Sequence, residues 1–358
     1  MKLELFLGAA LAVLAPGLVR ADGPAPAPAP TAAALSPTAD SGYHLIKTIP
    51  LPGDTGWDYA IADSAGRRLY VTHGDQVLVL DLDGNSLVGQ VGPFQGIHGV
   101  ALAPALDRGY VSDGKAGTVT CFDLKTLKVL QTIPGRPDAD GIIFDPATQQ
   151  VFAFNGDDRS ATVIDAATNS VVATLDLGGK PEFSASDANG LVFVNLVDKD
   201  EVLTIDAKAR KIIRTSPVAP GAHPAAMSID VEGANLFSGC HNQKAVILDP
   251  ATGQVKGFLP IGDRVDASVY DPGAGIEFHS CGDGTVWPAQ KGADGAFTAL
   301  APIPTKKGSR TMAIDLKTHD LYLPSADFGP APLTTTAQPH ARPKMVPGTF
   351  AVLVFGKE

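Results

Sequence analysis

Leu69-Tyr70-Val71-Thr72 is a short strand signature that does not stand alone. Its pattern returns as Gly109-Tyr110-Val111, Val151-Phe152-Ala153, Val192-Phe193-Val194, Leu236-Phe237-Ser238, Ile276-Glu277-Phe278 and Leu321-Tyr322-Leu323. The aromatic residues at the centre of these pieces are 40, 42, 41, 44, 41 and 44 positions apart. A fixed period near forty residues marks a repeat architecture, and seven anchors imply seven units.

Each unit follows one grammar. An apolar strand such as Gly141-Ile142-Ile143-Phe144 leads through a turn, often Asp-Pro (Asp145-Pro146, Asp271-Pro272), into the aromatic-anchored strand. A polar loop and a third strand ending in Asp follow (Phe122-Asp123, Ile164-Asp165, Leu248-Asp249), and a Thr-Asn or Thr-Gly turn opens a fourth strand such as Val171-Val172-Ala173-Thr174-Leu175. Period-two alternation bounded by turn residues is a strand signal, and four strands per forty residues is the blade of a propeller. A helical solenoid would need a 3.6-residue period, which is lacking. The sequence therefore predicts an all-β, seven-bladed β-propeller over residues 41–358.

The last unit runs out after three strands, ending with Phe350-Ala351-Val352-Leu353-Val354, while Tyr43 to Ile49 reads as an orphan fourth strand ahead of the first unit. Pairing the two closes the ring and removes an exposed sheet edge.

Leu69-Tyr70-Val71-Thr72, with the recurring Phe-Asp-Leu-Lys-Thr, Ile-Asp-Ala-Ala-Thr and Leu-Asp-Pro-Ala-Thr-Gly pieces, resembles the YncE-like, YVTN-repeat family of exported seven-bladed propellers. The resemblance covers roughly residues 43 to 356. It implies the fold and leaves the activity open, since nucleic acid binding and cell-surface roles are both associated with the family and a fold does not fix a function.

The N-terminus reads as an export signal over residues 1–21: Lys2, an apolar run from Leu5 to Leu18, then Val19-Arg20-Ala21 with small residues at the cleavage positions. As an uncleaved anchor the run falls short of the ~20 residues that span a bilayer. Residues 22–40 are Pro- and Ala-rich and form a linker, so the mature protein is expected in the periplasm or secreted, with no integral span, as a monomer. The 358 residues carry a net charge of −10 and only three cysteines, which excludes a disulfide framework and disfavours nucleic acid as a partner.

In a propeller the starts of the inner strands and the loops after the second strands meet around one mouth of the central channel. The inner-strand starts read as Asp58, His98, Asp140, Glu182, His223, Asp266 and Arg310. The loops add His73, Asp113, Asn155, Asn195, His241, Asp283 and Asp327. Asp58, Asp140, Glu182 and Asp266 could together hold a divalent metal ion, as carboxylates suit hard cations. Alternatively the ring receives a small molecule, with Arg310 meeting an anion and Asp or His moving a proton. The same residues would also serve simply to line a wet channel.

Trp57 and Tyr59 flank Asp58 and could wall a ligand. Cys240 and Cys281 hold the same place in adjacent blades, where diverging strands favour separate thiols, and Cys121 reads as core. The insertion 324–348, with Pro330, Pro332, Pro339, Pro343 and Pro347 and with His340, Arg342 and Lys344, is long for a loop in a compact domain and is expected as a lid over the mouth. No Gly-x-Ser-x-Gly elbow, His-Glu-x-x-His, phosphate-cradling loop or Cys-x-x-Cys-His is present.

The sequence thus supports first a non-enzymatic envelope propeller that binds a small molecule or an envelope protein at its mouth. A metal-dependent, lactonase-like hydrolase at the same ring is the alternative. Single-stranded nucleic acid binding comes third, since it would need a basic groove with stacking aromatics.

Overall fold

The computed structural model describes residues 39–330 and 343–357. The expected signal peptide, most of the linker and the middle of the 324–348 insertion lie outside the described residues. Seven antiparallel sheets form the seven blades, and no α-helix occurs among the described residues, only a 3₁₀ turn at Pro104–Leu106. No helix among them is long and apolar enough to cross a membrane.

Blades 1 to 5 have four strands each in simple up-and-down order, as in Trp57–Asp63, Arg68–His73, Gln76–Asp81 and Ser86–Val91. Blade 6 departs from the pattern because its outer edge is broken into Phe297–Ala299 and Ile303–Pro304, both paired with Thr285–Lys291. In blade 7 the N-terminal strand His44–Pro50 pairs antiparallel with the last strand Ala351–Gly356, from His44 opposite Gly356 to Pro50 opposite Ala351. Tyr43 locks this closure: its ring packs edge-on to Phe278 at 5.0 Å and its hydroxyl donates to the His319 carbonyl at 2.9 Å.

The seven aromatic anchors are all buried, because each sits on a second strand pressed between neighbouring blades. The core is accordingly divided into seven apolar clusters, one at each blade interface. Burying a large apolar side chain contributes about 1.5–3 kcal/mol, so the seven anchors alone supply a sizeable part of the cohesion between blades. Cys121, Cys240 and Cys281 are free and buried within these clusters.

The aspartates that punctuate the sequence explain the turns. Asp123, Asp165 and Asp249 each accept hydrogen bonds at Oδ1 from the backbone N–H groups two and three residues on and from a Thr hydroxyl. This side-chain turn reproduces the hairpin bond that a backbone carbonyl would otherwise make. The aspartates that end the inner strands also tie blades together: Asp315 takes the Arg67 guanidinium from blade 1, Asp145 accepts from Ser186 of blade 4, and Asp230 pairs with Lys291 of blade 6.

Candidate ligand site at the channel mouth

The inner strands are not regular where they open onto the mouth. The register slips between Trp57 and Ala60, Ile97 and Val100, Ala139 and Ile142, and Pro181 and Ser184, each slip being a β-bulge. A bulge frees one backbone N–H from the ladder and re-aims a side chain. The Tyr59 N–H is taken by the Thr72 hydroxyl at 2.8 Å and the Gly99 N–H by the Ser112 hydroxyl at 2.9 Å. The second residue of each strand is thereby turned toward the channel.

Those residues form a connected arc. His98 Nδ1 lies 2.8 Å from Asp58 Oδ2 and 3.5 Å from Asp140 Oδ1. Arg310 Nη2 reaches Asp58 Oδ1 at 3.2 Å, and Arg310 Nε hydrogen-bonds Asp266. The order Asp140, His98, Asp58, Arg310, Asp266 alternates charge. Glu182 completes the arc but makes no hydrogen bond or ion pair with any described residue.

The electrostatics follow from four carboxyl groups sharing one poorly solvated space. Burial pushes Asp140 up to about 7, with Asp58 adding to the rise and His98 opposing it. Burial and the neighbouring Asp140 push Glu182 up to about 8. Burial also raises Asp266, against the pull of Arg310 and His241. The hydrogen bond to Asp58 lifts His98 to about 9, so its imidazole is a cation at neutral pH.

Blade 5 breaks the arc. Its strand register sets Pro224 opposite Cys240 as Val265 is set opposite Cys281, so the residue corresponding to Asp266 is Ala225. His223, expected at this position, lies just outside the strand, exposed, with a left-handed backbone (φ 53°), and its Nδ1 donates to the Val197 carbonyl. His241, in the loop after the second strand of this blade, is exposed and close enough to act on Asp266. In blade 2 the residue after the second strand is Gly114, where an added Cβ would lie 2.9 Å from His98 Nε2.

The remaining loop residues serve the fold. His73 is buried, stacked on Phe350 with centroids 4.1 Å apart, and its burial lowers its pKa. Asp113 accepts from the Gln95, Gly96 and Ala116 N–H groups. Asn155 bonds Ser160 and Thr162, Asn195 bridges to Ala226 and Ser238, Asp283 accepts from the Asp263 N–H, and Asp327 pairs with Lys306.

Beneath the arc two aromatic rings from opposite blades meet. Tyr59 of blade 1 and Phe183 of blade 4 stack with centroids 4.5 Å apart and planes 9° from parallel. A mouth cavity of about 280 Å³ stands above, lined by Trp57, Asp58, Thr72, Ile97, His98 and Arg310. Trp57 itself is buried against Phe350 and Phe328, and its indole Nε1 has no hydrogen-bond partner. The described flanks of the insertion form a short ladder at this rim: Gly329 N–H donates to the Lys344 carbonyl at 2.9 Å and Val346 N–H to the Asp327 carbonyl at 2.8 Å. The lid expectation itself falls mainly on residues outside those described.

Among the described residues one group of three could share a metal ion, Asp58, His98 and Asp140, whose donor atoms lie within 4.8 Å of one another. Glu182 and Asp266 do not join it, and between Asp58 and Asp266 stands Arg310, paired with both. The histidine was the member that the four-carboxylate expectation left out; its alternation with acids along the inner-strand starts was the available signal.

These features define a seven-bladed propeller with a polar channel mouth. In sequence the chain is similar to YncE: it is 27% identical over 134 residues to the uncharacterized protein YncE of Salmonella typhimurium (strain LT2) and 26% identical over 134 residues to that of Salmonella typhi. These matches cover 36% of this chain and 38% of each relative, so the chain spans well under half the length of the curated relatives it matches. No family model matches. Among solved structures it is similar in fold to U3-55K (TM-score 0.71, 11% identity, 88% of this chain and 99% of that one) and to the RRP9 WD40 repeats (0.69, 11%, 89% and 99%). Hydrazine synthase of Kuenenia stuttgartiensis is a third (0.67, 14%, 76% and 94%).

Proposed function

We propose that the protein is an exported propeller that binds a small cationic ligand, an amine or guanidine, in the mouth of its channel. The observation that carries this reading is the imbalance of the arc. Asp58 and Asp266 are matched by His98 and Arg310, whereas Glu182 has no partner and Asp140 shares His98 at its longer contact. Burial and the neighbouring carboxylates hold Glu182 and Asp140 partly protonated against the opposing pull of Lys180 and His98, and a ligand cation would favour their ionised forms. The cavity of about 280 Å³ opens on the Asp58, His98 and Arg310 side of the arc and suits the body of a small molecule whose cationic end reaches on toward Asp140 and Glu182.

Titration calorimetry with a panel of small amines and their neutral hydroxyl analogues tests the reading. Amines should bind and release protons at pH 7, and Glu182→Gln should weaken binding at least tenfold. Equal binding of amine and hydroxyl analogues, or an unaffected variant, would sink it.

A second reading is favoured by the convergence of Asp58, His98 and Asp140: a metal ion at this trio, with hydrolysis of a lactone or ester as the reaction class. The ion would have to displace the proton that Asp58 holds on His98. Metal analysis of the purified mature chain and of Asp140→Ala separates the readings. Near-stoichiometric metal lost in the variant supports the second, and metal-free protein with stability indifferent to chelation removes it.

A further inference from the structure

The face opposite the mouth holds a second cavity of about 280 Å³, in the cleft between blades 1 and 2, and at its wall is a tyrosine hydroxyl without an acceptor. Tyr70 is fully buried and its hydroxyl finds no acceptor, the Arg68 guanidinium beside it being a donor. Arg68 lies close enough to oppose the burial that raises the phenol's pKa, and it donates to the Leu124 carbonyl. A buried hydroxyl without an acceptor destabilises the fold, so a ligand that meets it has a ready driving force.

The next interface shows what is missing. Blade 2 repeats the motif as Arg108-Gly109-Tyr110-Val111, and Arg108 donates to the Ala166 carbonyl as Arg68 does to that of Leu124. There Tyr110 is satisfied: its hydroxyl lies 2.9 Å from Asn169 Oδ1 and 3.1 Å from the Ala166 carbonyl, with Arg108 at 3.4 Å from the same Oδ1. Asn169 comes from a turn that matches Asp123 to Leu127 residue for residue, including the left-handed backbone at its fifth position (φ 56° and 61°). At that position blade 2 carries Leu127 in place of the asparagine. Leu127 turns to the outer strand of blade 1, where Gly89 admits it; a Cβ on Gly89 would stand 2.5 Å from the leucine Cδ1. At the interface of blades 2 and 3 that glycine is Gln131, which donates to the Asn169 carbonyl. The polar pair Gln131 and Asn169 is thus exchanged for the apolar pair Gly89 and Leu127, and the carboxamide that would serve Tyr70 is absent from the chain.

We propose that this cleft is a second binding site, which takes the carboxamide oxygen of a small external ligand between the Tyr70 hydroxyl and the Arg68 guanidinium. Tyrosine and arginine offer protons, so the ligand atom is an acceptor. The surrounding charges cancel, Asp63 and Asp107 against Arg68 and Lys125, with Lys125 Nζ 2.6 Å from Asp107, so a neutral carboxamide fits better than a carboxylate. The carboxylates at the rim are left to accept from its NH₂ group.

Saturation-transfer NMR on the full chain with N-acetyl-asparagine amide tests this, with the aspartate and alanine analogues as comparisons. The asparagine probe should show clear transfer, the aspartate probe less, and the alanine probe none. Tyr70→Phe, which removes only the orphan hydroxyl and leaves the fold at least as stable, should reduce transfer at least fivefold. The double variant Gly89→Gln, Leu127→Asn should do the same by supplying the chain's own carboxamide, and should raise the melting temperature. Equal transfer in wild type and Tyr70→Phe, equal transfer from the alanine probe, or no transfer at all because water alone serves the phenol, each overturns the proposal. Binding at the mouth is untouched by either variant, so the two sites fail or succeed independently.

Discussion

Tyr59 and Phe183 lie face to face across the channel, 4.5 Å apart, although they belong to the inner strands of blades 1 and 4. The pair forms an apolar floor beneath the arc, where Asp140, Glu182 and Asp266 lose hydration and resist ionising.

Removing the floor should therefore loosen the ring and relax the acids together. Phe183→Ala is expected to cost about 3 kcal/mol in urea unfolding, as large-to-small core changes do. It should also bring Glu182 down from about 8 toward the ordinary range near 4.5 as water enters. A variant as stable as wild type would show that the stack does not hold the channel.

The arc predicts a pH dependence with a definite sign. His98 is raised from 6.5 to about 9, Asp140 from 3.8 to about 7 and Glu182 from 4.5 to about 8, so each binds its proton more tightly folded than unfolded. The stabilisation they give is present at low pH, starts to fade above the unfolded carboxyl values near 4, and is gone once pH passes about 9. Glu182→Gln should be neutral at pH 5 and stabilising at pH 9 by about 1–2 kcal/mol, less than the full linkage value because the Glu182 side chain is only partly buried. Urea midpoints at pH 5, 7 and 9 read this directly; an unchanged slope with pH would contradict it.

A second buried acid obeys the same logic away from the mouth. Glu277 is fully buried, hydrogen-bonded to Ser228, and burial raises its pKa well above the usual carboxyl value, while burial lowers the adjoining His279 to about 3. Glu277 must stay protonated in the folded state, so wild type loses stability as pH rises above about 4.5. Glu277→Gln keeps the shape without the proton requirement and should raise the melting temperature by several degrees at pH 8. No gain there would mean that the carboxylate is ionised in place.

Closure of the ring rests on one strand. Deleting residues 41–50 strips the outer strand of blade 7 with the buried Tyr43 and Ile49, and should lower stability by at least about 5 kcal/mol or abolish folding. Tyr43→Ala, which keeps the strand, should cost about 3 kcal/mol in the same denaturant assay. A truncated chain that melts like wild type would show closure elsewhere.

The seven aromatic anchors, the turn aspartates and the missing fourth strand were legible because each is a local pattern that repeats with the blade. The arc was legible in part: Asp58, His98, Asp140, Glu182, Asp266 and Arg310 stand where the strand starts put them. Blade 5 was misread by two residues, His223 for Ala225, because strand register depends on pairing with Cys240 and not on the preceding sequence.

By itself the sequence determined the blade, its number and its closure, since alternation, turn chemistry and period are properties of contiguous residues. Tertiary structure decided which side chains meet across the ring. Tyr59 finds Phe183, Arg310 separates Asp58 from Asp266, and Tyr70 is left without the carboxamide that Tyr110 receives. Each of these contacts joins residues from different blades, and their distances are fixed only when all seven blades have closed into one circle.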